Sequence, residues 1–412
     1  MNLTVDSGRM VRELERLGSI SAAPPPVVTR VVFTEADLRG RKFVKDLCEA
    51  AGLAIREDAA GNTFARWQGS DPRAAAVATG SHIDAIPNAG RYDGTAGVLG
   101  GLEAIRTLRS AGFQPRRSIE LIVFTSEEPT RFGIGCLGSR LMSGLLDAGA
   151  GERLKDRDGI SLDQARRDAG FSGDLETVRL QAGHYAAFIE LHIEQGPLLE
   201  HRGIPLGIVS AIAAPATLRM WIEGEGGHAG AVLMPERRDA FLAAAEIALA
   251  VESAARLTGA IDTVGTVGVC DVFPGAVNSI PSRVRIEIDV RDIDGARRDR
   301  VLSDIDRAAA AIAGGRKVRI SSELINADPP AQCDGTVVAA LADACKARRI
   351  AFERMISRAY HDSLFMSRIA PTAMLFIPCR GGVSHRPDEY ASPESIAQGT
   401  LVLAEALGAL AG

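Results

Sequence analysis

Four stretches of the chain are largely apolar: AAAVATG at 74–80, SIELIVFTSEE at 118–128, YAAFIELHIEQG at 185–196 and TAMLFIPC at 372–379. Short runs of this kind read as strands buried on both faces. Between the first two lies GTAGVLGGLEAIRTLR at 94–109, which has the spacing of a helix. Strands alternating with helices predict an α/β fold, with a mostly parallel sheet and helices on both its faces. The polar residues closing the runs are the informative ones. In open α/β sheets, ligands bind beyond the carboxyl ends of the strands, and His82, Glu127, Glu128 and His192 occupy such positions.

From about Ala213 the texture changes. After ATLRMWIEGEGGHAG (216–230) comes an Ala-rich helical pattern at 239–257, and then SRVRIEIDVRD at 282–292. In that last segment Val284, Ile286, Ile288 and Val290 alternate with Arg283, Arg285, Glu287, Asp289 and Arg291, the period of a strand with one buried face. A further helix is expected over 293–313, and NADPPAQCD (326–334) reads as a linker. The organisation predicted is one catalytic domain in two segments, 1–212 and 329–412, interrupted by a smaller α+β domain at 213–328. No internal repeat is evident.

Composition narrows the class. The chain has 412 residues, 46% hydrophobic and 24% charged, the balance of a soluble globular protein with room for more than one domain. Its net charge is −5 with Lys and Arg dispersed, so nucleic acid is a poor partner. Residues 1–32 carry charges and three consecutive prolines without an apolar core. Neither a signal peptide nor a membrane span is expected, and the cytoplasm is the default compartment. Six widely spaced cysteines without a C-x-x-C pair argue for reduced thiols. The signatures G-x-S-x-G, G-x-x-x-x-G-K-[ST] and H-E-x-x-H are absent, and the glycines at 94, 97, 100 and 101 lack dinucleotide-binding order.

What remains is a set of metal-ligating side chains: His82, Asp93, Glu127, Glu128, His192 and His385. Neutral imidazole and carboxylate suit zinc-like or manganese-like ions, although any one histidine at a strand end is more often a hydrogen-bonded structural residue. In the H-x-D pair, Asp84 is placed to accept the second ring N–H of His82. Asp93, after a flexible turn, can bridge two ions. Of the adjacent Glu127 and Glu128, one can hold a metal while the other serves as general base. A solvated turn is the competing reading for that doublet, but a buried strand delivers it into a cleft.

In this order, GSHIDAIPNAGRYDGTAGVLGGLEAI, FTSEEPTRFG, CLGSR, ELHIEQGPLLE, GEGGHAGAVLMPERRDA, NSIPSRVRIEIDVRD and SRAYHDSLFMSRIAPTAMLFIPCRGGVSHRPDEYASPE follow the motifs of the hydantoinase/carbamoylase-type amidases. From about residue 60, nearly the whole chain resembles this group of the aminoacylase/carboxypeptidase superfamily of two-metal hydrolases. The resemblance implies His82, Asp93, Glu128, His192 and His385 as ligands of two divalent ions, with Asp93 shared, and Mn²⁺ favoured over Zn²⁺. It makes Glu127 the general base and acid, with Asp84 in support, and Gln195, Asn278, Arg291 and His361 the substrate shell. Arg291 would grip a substrate carboxylate. It further implies that the inserted domain forms a homodimer contact and a lid, with His228 stabilising the oxyanion in the partner's site. RAYHDSL departs from the Gly-rich stretch of many relatives and is similar to the ureidoglycolate amidohydrolase branch. The resemblance therefore implies a small ureide as substrate, (S)-ureidoglycolate, hydrolysed to glyoxylate, ammonia and carbon dioxide. Allantoate or N-carbamoyl amino acid hydrolysis is the alternative within the class, and a catalytically silent binding protein the alternative outside it.

Overall fold

In the computed structural model, which describes residues 1–412, the four apolar runs become the centre of one sheet. Strands Thr372–Ile377, Tyr185–Ile193, Ala76–His82 and Ile119–Phe124 lie side by side in that order, each parallel to its neighbour. The sheet as a whole is mixed, because its flanks are antiparallel. Thr63–Trp67 and Ala54–Glu57 extend one side, and Leu206–Ile212 extends the other. The flanking strands Ala54–Glu57 and Thr63–Trp67 form a simple hairpin, which needs no crossover helix.

Both faces of the central strands are covered, which explains the apolar runs. Val77, Ile119, Leu121, Val123, Ile189 and Leu191 point into one core, shared with residues of helices Thr95–Ser110, Gly335–Arg348 and Pro393–Ala411. Ala76, Ala78, Ile122, Phe124, Tyr185 and Phe188 point into a second core with Leu141, Met142 and Met366. Removing each large apolar side chain from water contributes about 1.5–3 kcal/mol. Helix Thr95–Ser110 lies close on the sheet because Gly97 faces the Leu191 carbonyl, where a Cβ would come within 2.2 Å. Towards the carboxyl ends of two strands the second face turns polar. Glu190 and His192 follow Phe188, and Gly80 and His82 follow Ala78.

The chain divides into two compact units, Met1–Ser210 with Cys333–Ser357 and His361–Gly412, and Ala211–Gln332 with Arg358–Tyr360. These limits sit a few residues outside the 213–328 segment marked by sequence texture. The short segment Arg358–Tyr360, read as part of the first unit, joins the second instead. Within the second unit, Asp328 accepts the Tyr360 hydroxyl at 2.8 Å, and Arg358 pairs with Asp262 at 2.6 Å.

The second unit has a four-stranded antiparallel sheet in the order Val264–Phe273, Arg283–Asp292, Ala214–Glu223, Arg319–Ala327. Helices Ala240–Leu257 and Gly295–Arg316 supply Ile247, Val251, Val301 and Ile305 to a core with Val284, Ile286, Ile288 and Val290. On the polar face, Arg219 bonds Glu287 at 2.8 Å and Arg285 bonds Asp271. No helix in the chain is long and apolar enough to cross a membrane.

Candidate metal centre

Parallel alignment brings the chemistry to one edge. His82 ends its strand, opposite Phe124 in the neighbouring strand, and Glu127 and Glu128 follow three and four residues later. His192 lies opposite Phe376, and the loop after Thr372–Ile377 carries His385. Helix Thr95–Ser110 begins just after Asp93, and its N-cap Gly94 has φ 63°. A Cβ at Gly94 would lie 2.5 Å from the His82 ring, so glycine is required there on both conformational and steric grounds.

His82, Asp93, Glu127, Glu128 and His192 are all buried, whereas His385 remains exposed. Asp93 is the centre of the arrangement. Its Oδ1 lies 3.5 Å from His82 Nε2 and 3.2 Å from His192 Nε2, and its Oδ2 lies 3.3 Å from His385 Nε2. His385 Nε2 is also 3.3 Å from Glu128 Oε1. Three donor groups result, each with its ligand atoms within 4.8 Å of one another: His82–Asp93–His192 and Asp93–Glu128–His385, which share Asp93, and Glu190–His192–His361 beside them.

The donor set fits divalent cations. His82 Nδ1 is 3.0 Å from the Asp84 carbonyl, and His192 Nδ1 is 2.8 Å from the Ile193 carbonyl. Each Nδ1 therefore carries a proton to donate, which leaves lone pairs on both Nε2 atoms. Both lone pairs face the Asp93 carboxylate, with the Gly94 N–H also 3.3 Å from His192 Nε2, and positive charge placed between ring and carboxylate makes the arrangement favourable. Without a cation the site draws in protons. Burial works against charge on His82, but Glu127, Asp93 and Asp84 outweigh it and hold the imidazole well above its usual range. Hydrogen bonds to Asp93 and Glu128 push His385 up to about 11. Burial would raise Asp93, but bonds from the three histidines hold it well below the usual carboxylate range.

Glu127 has a different environment. Burial, reinforced by Glu128, Asp362 and Asp84 but opposed by His82, pushes its carboxyl well above the ordinary range. The thiol of Cys136 donates to its Oε1 at 3.3 Å, while Oε2 faces His82 Nε2 at 3.8 Å. Asp84 does not hold the His82 ring through its carboxylate, which stands 3.7 Å away. Instead, its two oxygens accept the backbone N–H groups of Glu127 and Glu128 at 3.2 and 3.0 Å. The backbone carbonyl of Asp84 takes the role expected of the side chain, because the turn after the strand folds that carbonyl back onto the ring.

The predicted substrate residues divide between the two units. In the first, Gln195 Nε2 donates to Asp93 Oδ2 at 2.7 Å, and its buried Oε1 has no partner. The His361 ring packs against His192 with centroids 4.5 Å apart, and its buried Nε2 is also unpartnered. Burial, followed by the charge of His192, holds His361 well below its usual range, so it is neutral. In the second unit, His228 and Asn278 are exposed. His228 Nδ1 accepts the Gly230 N–H at 3.1 Å, which leaves its ring proton on Nε2. Arg291 is not free: Asp289 binds both Nε and Nη2, at 2.8 and 3.2 Å, and Nη1 donates to the Arg358 carbonyl. An alternating strand places residues 289 and 291 on the same polar face, and this is the physical reason for the pairing.

Three polar residues at the site escape sequence reasoning: Cys136, Ser384 and Glu389. Glu389 stands in RPDEY, a stretch that reads as a solvated turn, yet it is only 4% exposed. Burial and the neighbouring Asp93 push its carboxyl up to about 7. One backbone signal marks the whole region. Ser126, Cys136, Gln195 and His385 all have φ between 55° and 59°, a left-handed conformation costly for non-glycine residues and concentrated at functional sites.

A model of peptidase family M20/M25/M40 matches residues 78–409. The chain is 53% identical over 418 residues to a ureidoglycolate hydrolase of Arabidopsis thaliana, covering 99% of this chain and 87% of that protein. It is 40% identical over 400 residues to an N-carbamoyl-L-amino acid amidohydrolase of Geobacillus stearothermophilus, covering 97% of each. Among solved structures it resembles AtUAH, in complex with glyoxylate and with (S)-hydroxyglycine. Each of these two comparisons has a TM-score of 0.89 at 52% identity and covers 99% of this chain and 98% of the other.

Proposed function

The chain belongs to peptidase family M20/M25/M40, and from that premise we propose that it hydrolyses (S)-ureidoglycolate. It is an amidohydrolase of linear amides, and the 53% identity to a ureidoglycolate hydrolase along almost the whole chain is the observation that carries the choice of substrate. Attack of water on the ureido carbonyl releases ammonia and a carbamate. The carbamate loses carbon dioxide to leave (S)-hydroxyglycine, which gives up a second ammonia to form glyoxylate.

His82, Asp93 and His192 would hold one divalent ion and Asp93, Glu128 and His385 the other; these nitrogen and oxygen donors suit Mn²⁺ or Zn²⁺, and the resemblance to the ureidoglycolate branch puts Mn²⁺ first. When bound, such ions lower the pKa of water and polarise the carbonyl. Glu127 takes the proton from the attacking water and passes it to the leaving nitrogen. Its Oε1 is pinned by Cys136, so Oε2 is the oxygen turned to the ligand cluster. The unpartnered Gln195 Oε1 and His361 Nε2 are available to orient the polar groups of the ureide. Arg291 takes the substrate carboxylate by exchanging Asp289 for it, and Asn278 completes the shell. His228, exposed and protonated on Nε2, steadies the oxyanion, acting across a homodimer formed through the second unit. Six unpaired cysteines fit a reducing cytoplasm.

The relation to an N-carbamoyl-L-amino acid amidohydrolase supports a second reading on the same machinery. Ammonia release from (S)-ureidoglycolate, allantoate and N-carbamoyl-L-amino acids, measured on Mn²⁺-loaded protein, separates them. The highest kcat/KM is expected with ureidoglycolate, and faster turnover of another ureide overturns the assignment.

A further inference from the structure

Asp93 and His385 come to the second donor group from distant parts of the chain, and neither sits on a strand. Asp93 ends the turn after Ala85–Ala89, and His385 lies in a loop with a left-handed backbone, φ 59°. Glu389 and Ser384 join these two segments. Glu389 Oε1 accepts the backbone N–H groups of Tyr92 and Asp93 at 2.7 and 3.1 Å. Its Oε2 accepts the Ser384 hydroxyl at 2.9 Å, and the same hydroxyl oxygen lies 2.6 Å from Asp93 Oδ2. The segments are also pressed together. A Cβ at Gly90 would fall 2.3 Å from Glu389 Cβ, so only glycine allows the approach.

We propose that Glu389 and Ser384 are positioning residues that clamp the His385 loop to the Asp93 turn, so that the second divalent-ion site forms only while the clamp is closed. The two ion sites differ in how they are supported. His82 and His192 stand on adjoining strands of the sheet, with their ring protons given to backbone carbonyls. Asp93 reaches that site while also held by Gln195. His385 has no strand beneath it, and its left-handed backbone persists only if its surroundings over-determine it. Ser384, its immediate neighbour, makes the contacts that do so.

The test titrates full-length, chelator-treated protein with Mn²⁺ by calorimetry, with circular dichroism as the check on folding. Wild type is expected to bind two ions. Glu389→Ala is expected to weaken one of them by about 10- to 100-fold, the usual effect of removing a group that orients a metal ligand. The ion affected is the one that His385→Ala removes. Glu389→Gln keeps an oxygen for the two backbone amides and can donate to Ser384, so it is expected to restore both ions. In the Glu389→Ala/Ser384→Ala double variant the losses are expected not to add, because both residues belong to one chain of contacts. Two ions bound at wild-type affinity in Glu389→Ala, or a Gln variant as weak as the Ala variant, overturns the clamp. If Glu389→Ala does not fold, Ser384→Ala alone carries the test: a loss of about tenfold at the His385 ion supports the clamp, and unchanged affinity overturns it. The inference rests on the ligand assignment above. A wild type that takes up no ion overturns that assignment, whereas two tight ions in both wild type and Glu389→Ala overturn the clamp alone.

Discussion

The carboxyl edge of the central sheet and the second unit both carry residues that sequence motifs mark for catalysis, yet they are built differently. At the first, side chains hold one another around a buried carboxylate: Asp93 alone meets His82, His192, His385, Gln195 and Ser384. At the second, His228 and Asn278 are exposed and Arg291 is bound to its own neighbour Asp289. A metal centre needs rigid, mutually constrained donors, because positive charge must be met at fixed distances. Groups that recognise a substrate can stay solvated until the substrate exchanges their partners. The candidate ligands of the first region therefore all lie within one unit, whereas the marked residues of the second are solvated or paired with a neighbour.

The largest effect that probes this contrast comes from Asp93→Ala. Both donor groups lose their shared member, so metal analysis is expected to find no tightly bound ion and ureide hydrolysis to fall to background. Retention of either ion would show that the first region is less interdependent than its contacts imply.

His228→Ala probes the other region. The expected result is a fall in kcat on the order of 10²–10³, the usual cost of removing one oxyanion donor, with metal content unchanged. Loss of metal in this variant would erase the distinction between the regions.

Asp84→Asn is expected to have the smallest effect. An asparagine presents one oxygen where Asp84 offers two, so one of the Glu127 and Glu128 amides loses its acceptor. A destabilisation of about 1–3 kcal/mol by denaturant unfolding is expected, with both ions retained at weaker affinity. A variant as metal-free as Asp93→Ala would mean that Asp84 supports the ligands directly, through the His82 ring.

Part of this contrast is legible in the letters. Runs such as IELIVF and FIELHI are apolar because both faces of a strand are buried, and the polar residues that end such runs emerge at the ligand edge of an α/β sheet. Spacing within a segment also distinguishes Asp84 from Asp93. Alternation along 283–291 assigns Arg291 to a polar face, but the same alternation puts Asp289 beside it, and only the distances show that the two are paired.

The sequence by itself thus determined the strands, the polar side chains that close them and the interruption by a second unit, because periodicity and strand termini are local properties of the chain. Only the tertiary structure decided which atoms do the holding. It gave the His82 ring proton to the Asp84 backbone carbonyl, turned the Asp84 carboxylate to the Glu127 and Glu128 amides, and brought Glu389 onto amides 296 and 297 positions away. Hydrogen bonds are set by angles and by distances of about 3 Å, and no pattern of residue types along a chain fixes those across such separations.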